Sequence, residues 1–153
     1  VTAASTSHAS AVLVGARAVL IRGPSGTGKS RLALELIEAG QAGRLRFVRL
    51  VGDDRVYLES CNRRLLVRPA PGLAGLLEVR GAGIFRVEYE PCAVVGLVVD
   101  LAAADAERLP DRPKIELEGV TLPRLAVPPG VAALPGLVAL LTSPGAAIDS
   151  DAA

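Results

Sequence analysis

The chain has 153 residues, half of them hydrophobic, and a formal net charge of +1. That is one domain's worth of sequence with enough apolar material for a real core. The near-neutral balance, with basic residues scattered rather than clustered, gives no electrostatic footprint for nucleic acid or an anionic membrane.

No apolar run approaches the roughly 18 residues of a membrane-spanning helix. The core must be aliphatic, because the chain holds two Phe, two Tyr, no Trp and no Met. Residues 1–10 are small and polar without a basic start, which does not match a signal peptide. Cys61 and Cys92 are isolated and are expected to be reduced and structural, as in a cytoplasmic protein. A single domain over 1–153 is expected, with loose tails at 1–7 and 143–153.

In chain order, Ala11–Gly15 and Ala18–Arg22 are short apolar runs that predict a hairpin or a bent strand pair. His8, the only histidine, lies just before the first. Gly23-Pro24-Ser25-Gly26-Thr27-Gly28-Lys29-Ser30 then fits the phosphate-loop pattern G-x-x-x-x-G-K-[ST] at every fixed position. Its context is right: an apolar strand leads in, and Ser30–Ala39 reads as a helix with Leu32, Ala33, Leu36 and Ile37 on one face. In such a loop, glycines let successive backbone N–H groups turn toward phosphate oxygens, and the helix N-terminus adds positive potential. Lys29 would reach the outer phosphates and the Ser30 hydroxyl would ligate Mg²⁺. Lys29 also stands out chemically, being one of only two lysines beside 15 arginines.

Gly40 and Gly43 are expected to end the helix. Phe47–Val51 reads as a strand running into Gly52-Asp53-Asp54. An apolar strand that ends in carboxylates soon after a phosphate loop is a natural place for a metal-associated or proton-accepting acid. Arg55–Glu59 and Arg64–Val67 predict a hairpin, with Pro69–Leu73 as a turn. Leu76–Ile84 reads as strand, with Glu78 and Arg80 on one parity and Gly81 and Gly83 allowing close backbone approach. Ala93–Leu101 is the most apolar strand and carries Asp100 near its end, so Asp100 competes with Asp53 and Asp54 as the acid of the site. Residues 102–114 predict a polar loop, 115–117 and 120–122 short strands, Pro128-Pro129-Gly130 a break and Leu134–Leu141 a short helix.

Taken together, His8, the loop Gly23–Ser30, Val51-Gly52-Asp53-Asp54-Arg55-Val56 and Leu77-Glu78-Val79-Arg80-Gly81-Ala82-Gly83-Ile84 resemble the catalytic domain of bacterial HPr kinase/phosphorylase. The last stretch is similar to the family's signature segment. The family phosphorylates a serine of HPr, the small phosphocarrier of the sugar phosphotransferase system. The resemblance runs from about His8 to about Gly130 and fits a short form without the separate N-terminal domain.

The resemblance implies an α/β fold: a mixed sheet carrying the phosphate loop, with flanking helices and a nucleotide-binding core like that of phosphoenolpyruvate carboxykinase. It implies ATP and Mg²⁺ as cofactors, with Gly23, Pro24, Ser25, Gly26, Thr27, Gly28, Lys29 and Ser30 on the nucleotide. Ser30 and Glu78 would bind Mg²⁺. Asp54 would be the base, with Asp53 beside the metal and His8 orienting the base. Arg80 would sit near the transferred group, and Arg108, in a stretch similar to a family loop, would assist catalysis. An HPr-like phosphocarrier would be the partner, and the assembly a homo-oligomer, a hexamer by resemblance.

The chain also departs from the family. Where the family carries a Pro-x-Arg-Pro-Gly-Arg-like segment linked to the reverse, phosphorolytic reaction, this chain has Ala126-Val127-Pro128-Pro129-Gly130 and neither arginine. Two other readings therefore stay open: a non-catalytic nucleotide-sensing module, and a small-molecule kinase with a similar loop.

Overall fold

A computed structural model describes residues 5–106 and 113–143. Eleven strands and two helices follow one another: β1 (Ser5–Ser7), β2 (Ala9–Val14), β3 (Arg17–Arg22), α1 (Lys29–Gln41), β4 (Val48–Gly52), β5 (Val56–Cys61), β6 (Arg64–Pro69), β7 (Leu76–Val79), β8 (Gly83–Arg86), β9 (Ala93–Asp100), β10 (Lys114–Leu117), β11 (Val120–Ala126) and α2 (Leu134–Thr142). Nine of the strands form one mixed sheet in the order β1-β5-β6-β9-β3-β2-β4, with β11 on β9 and β10 on β11; β7 and β8 form a separate hairpin.

β9 organises the sheet. Along one side it runs parallel to β3, from Ala18 opposite Val95 to Arg22 opposite Asp100. On its other side β6 pairs antiparallel at its start and β11 pairs parallel at its end. Such a strand is buried on both faces, which is why it reads as an unbroken apolar run. From Leu97 onward the period of two divides its residues, while an irregularity in the β3–β9 register puts Val95 on the side of Val98. Val19, Ile21, Leu97 and Val99 pack toward Leu32, Ala33 and Leu36 of α1, with Leu77 and Leu137 joining them. Ala18, Leu20, Val95 and Val98 pack on the opposite side with Val56, Leu58, Leu65 and Val67. The expected hairpin is β2–β3, in full antiparallel register from Ala9–Arg22 to Val14–Arg17.

Several elements differ from the sequence reading. α1 runs through Gly40 rather than ending there. Gly40 serves a close approach: a Cβ would lie 2.6 Å from Val48. The helix stops at Gly43, whose φ is +77°. There Gly43 N–H bonds the Gly40 carbonyl and Arg44 N–H the Ala39 carbonyl, the bond pair of a Schellman cap. Phe47, expected in the strand, has φ +42° and precedes it, with the Arg49 guanidinium 4.5 Å from its ring centre.

Leu76–Ile84 is not one strand but the first part of the β7–β8 hairpin, turned at Arg80–Ala82 by Ala82 N–H to the Val79 carbonyl. Ser5–Ser7, assigned to the loose N-terminal tail, pairs with β5. The strand expected at 120–122 extends to Ala126, because β9 supplies it with a parallel partner. Cys61 and Cys92 are both free thiols. No helix of the described residues is long and apolar enough to cross a membrane.

Candidate active site

The site lies where β3 gives way to α1. Gly28 precedes the helix, and its carbonyl accepts the first helical bond, from Leu32 N–H at 2.9 Å. Gly23 cannot be replaced without displacing neighbours: a Cβ there would lie 2.7 Å from Thr27 Oγ1 and 3.1 Å from Leu101. Thr27 Oγ1 donates to the Pro24 carbonyl at 2.6 Å, closing the loop on itself. Lys29, only 9% exposed, sends Nζ back across the loop to the carbonyls of Gly23 at 2.8 Å and Pro24 at 3.2 Å. The sole cation of the loop is thus held inside its curve.

Asp53 meets this loop from the side. β4 lies two strands from β3, across β2, and ends at Gly52, which delivers Asp53 beside the start of α1. Asp53 Oδ1 accepts hydrogen bonds from Ser30 Oγ and from Ser10 Oγ, each at 2.7 Å. Its Oδ2 accepts from the Glu78 backbone N–H at 3.1 Å. One buried carboxylate therefore ties together β2, the phosphate loop and β7.

Asp54 stands at the apex of a three-residue turn. Arg55 N–H reaches the Asp53 carbonyl at 2.7 Å, and Asp54 has φ +66°, a strained conformation for a residue with a Cβ. Its N–H is held by Ser10 Oγ at 3.3 Å. Its carboxylate is 3.9 Å from His8 Nδ1, and both side chains are open to solvent.

These parts enclose an open cleft of about 680 Å³. Ser25–Ser30 form one wall, Arg31 and Leu34 continue it along α1, and Asp54, Glu78, Val79 and Arg80 face them. Of the residues singled out from sequence, the structure gathers Lys29, Ser30, Asp53, Asp54, Glu78 and Arg80 at one place, with His8 at its edge. Gly23 and Pro24 lie behind the cleft and hold Lys29 through their carbonyls. Arg108 lies outside the described residues. The oxygen donors present, a hydroxyl and several carboxylates, suit Mg²⁺, which is held by few protein ligands and completes its shell with phosphate oxygens and water. Among the described residues, no group of three or more His, Cys, Asp or Glu converges on one point, so any divalent ion here would depend on the substrate for part of its coordination.

Asp100, the competing acid, belongs to a different structure. Arg22 binds it through two bonds, at 2.7 and 2.9 Å, and Arg124 donates to it at 2.5 Å. Arg124 also forks onto Asp105 at 2.9 and 3.0 Å. Burial pushes the Asp100 carboxyl up, but the hydrogen bonds and charges of Arg22 and Arg124 outweigh burial and hold it below its ordinary value. The hydrogen bond from Arg124 likewise lowers Asp105. Asp100 is matched by two guanidiniums and is not directed at the loop.

Sequence reasoning missed Ser10. The only available signal was a lone hydroxyl in an otherwise apolar strand two residues beyond His8. It is fully buried, and its one oxygen donates to Asp53 while accepting from the backbone of Asp54.

Residues 1–129 match the family model of the HPr serine kinase C-terminal domain. The HPr kinase/phosphorylases of Geobacillus thermodenitrificans and Streptococcus thermophilus are 37% and 40% identical over 72% of this chain. That of Geobacillus kaustophilus is 41% identical. The chain spans only about 38% of the length of the first two relatives. Among solved structures, the Hpr(Ser) kinase/phosphatase of Coxiella burnetii superposes with a TM-score of 0.73 at 26% identity, covering 90% of this chain and 93% of that one. The chain belongs to the HPr serine kinase C-terminal domain family.

Proposed function

We propose that the chain is an ATP- and Mg²⁺-dependent serine kinase that phosphorylates an HPr-like phosphocarrier protein and so regulates a phosphotransferase system in the cytoplasm. The observation that carries this reading is Asp53, whose one carboxylate accepts from Ser30 of the phosphate loop and from the backbone of Glu78. A phosphate cradle, a base candidate and further acid groups thereby share one cleft.

The chemistry asks little more. A serine hydroxyl is a poor nucleophile, so a carboxylate must accept its proton as the γ-phosphoryl group moves. Asp54 is that acceptor: it lines the cleft, is open to solvent and stands beside His8, which orients it. The serine Oγ–P bond forms, the bond from P to the bridging oxygen of the β-phosphate breaks, and the serine proton passes to Asp54. Lys29, held in the curve of the loop, balances the charge that gathers on the departing phosphates. Arg80, across the cleft, binds the transferred group. Mg²⁺, when bound, supplies further charge neutralisation on the β- and γ-phosphates, and Ser30, Asp53 and Glu78 are the residues that would hold it. The lack of arginines at 126–130 argues for the forward reaction over phosphorolysis.

The test is transfer of label from γ-labelled ATP to a serine of HPr. The expected result is Mg²⁺-dependent labelling by the wild type and none by Lys29→Ala. A preparation that binds ATP yet never labels HPr would support the nucleotide-sensing reading instead.

A further inference from the structure

Arg31 stands where local rules favour the opposite charge. α1 begins at Lys29, so Arg31 lies in the first turn, where the helix dipole favours acids and disfavours cations. That turn carries no acid at all. Lys29, the other cation there, is held by the loop carbonyls of Gly23 and Pro24. Arg31 is exposed, and among the described residues no hydrogen bond or ion pair joins it to anything, including Glu35 one turn further along. A cation set against the field of its own helix and left unmatched by the fold is a local inconsistency of the kind that marks a functional position.

Its surroundings say what would match it. Arg31 and Leu34, three residues apart and so on one face of α1, line the cleft beyond the phosphate loop, with Val79 and Arg80 among the residues opposite. The rim continues past them onto β8, where Ile84 is 70% exposed and pairs in register with Glu78. Transfer to a small metabolite has no use for an apolar rim, whereas a protein that presents a serine must rest on what surrounds the cleft. In the kinase reading Asp54 takes the proton, Glu78 the metal and Arg80 the transferred group. Arg31 is the charged group of the cleft that is left without a task.

We propose that Arg31 selects the protein acceptor by pairing with an acidic side chain close to the serine that is phosphorylated, a role that rests on the kinase reading above. The acceptor segment lies between Leu34 and Val79, with an apolar side chain against them and a carboxylate on Arg31. A guanidinium suits the task, because its planar fork matches a carboxylate through two parallel bonds. The same charge works as a filter. An acceptor with a basic residue at that place brings two cations together, and like charges facing each other across an interface reject the wrong partner.

The experiment is a charge swap across the interface. HPr is prepared with single Glu or Lys substitutions at each residue near its phosphorylated serine, and kcat/KM for each is measured with wild type, Arg31→Ala and Arg31→Glu, alongside ATP binding. A glutamate in the first turn of α1 agrees with the helix dipole, so Arg31→Glu is expected to fold, and circular dichroism checks it. For at least one position the wild type should prefer the Glu form of HPr over the Lys form by roughly fivefold or more. Arg31→Ala should abolish that preference and Arg31→Glu should invert it, the change residing in KM for HPr. ATP affinity should stay within about twofold of wild type throughout, as a residue that binds only the acceptor requires. An Arg31→Glu variant that ranks the HPr forms as the wild type does would overturn the proposal. So would a loss of ATP affinity with the ranking unchanged, which would make Arg31 a phosphate ligand. A wild type that binds ATP and labels no form of HPr would instead remove the kinase reading, and the selection with it.

Discussion

Asp53 and Asp100 both close apolar strands of the same sheet and are both buried, 6% and 8% exposed, yet their partners differ in kind. Asp53 is held by two hydroxyls and a backbone N–H. Asp100 is held by two guanidiniums. Neutral donors fix a carboxylate in place without matching it to a cation. Two arginines satisfy Asp100 in both hydrogen bonding and charge, which leaves it nothing to offer a cation. Position at the end of a strand therefore does not make an acid functional; the charge of its partners does.

The sharpest way to test that contrast is through the reaction. Asp54→Asn should reduce phosphoryl transfer to HPr by roughly 100- to 10,000-fold, the usual contribution of a general base. Asparagine tolerates the positive φ of Asp54, so the substitution removes the carboxylate without straining the turn. ATP binding should be retained. A turnover within a few-fold of wild type would mean that Asp54 is not the base.

The next effect separates the two corners. Asp100→Asn should leave transfer to HPr nearly intact but cost about 2 kcal/mol of stability, less than a wholly buried pair because Arg22 keeps some solvent contact. That corresponds to a fall of roughly 4–8 °C in Tm. Its pH dependence has a definite sign. The Asp100 carboxyl is lowered in the folded chain from its ordinary 3.8, so its contribution is fully present above that value. It is lost as pH falls through the lower, folded value. The wild type's advantage over Asp100→Asn should therefore be constant near neutrality and shrink in strong acid. A difference that grew on acidification would break the assignment.

Much of the architecture was legible because it rests on local rules. The phosphate loop has its glycines and lysine at fixed spacing. β2–β3 and β5–β6 announced themselves as paired apolar runs around short polar connections. What stayed hidden depends on contacts distant in sequence. Asp100 finds Arg22 78 residues away and Arg124 24 residues away, and nothing in the run Ala93–Leu101 marks it as matched. Leu76–Ile84 looked like one strand because its apolar residues continue past Arg80; only the Val79–Ala82 bond reveals the turn. Gly40 read as a stop signal, but its role is set by Val48 on a strand the helix packs against. The acid pair was visible as Asp53-Asp54, yet the burial of Asp53 and the exposure and positive φ of Asp54 are set by tertiary contacts that one-dimensional reading does not supply.

Ser10 offers the finest test of the same contrast, because it is the neutral donor that an arginine replaces in the other corner. Its oxygen donates to Asp53 at 2.7 Å and accepts from Asp54 N–H at 3.3 Å, so it links the two acids from a fully buried position. Ser10→Ala removes both bonds and leaves Asp53 with Ser30 and the Glu78 backbone. The expected loss of stability is about 1 kcal/mol, the scale of one hydrogen bond. Turnover should fall by roughly tenfold while KM for ATP stays put, because a slackened Asp54 is misplaced only for the proton transfer. Ser10→Cys, with a weaker donor of similar shape, should fall between the two. An alanine variant with normal turnover would show that Ser30 and the Glu78 backbone hold the acids unaided. A raised KM with unchanged turnover would shift the role of Ser10 from the base to the phosphate loop.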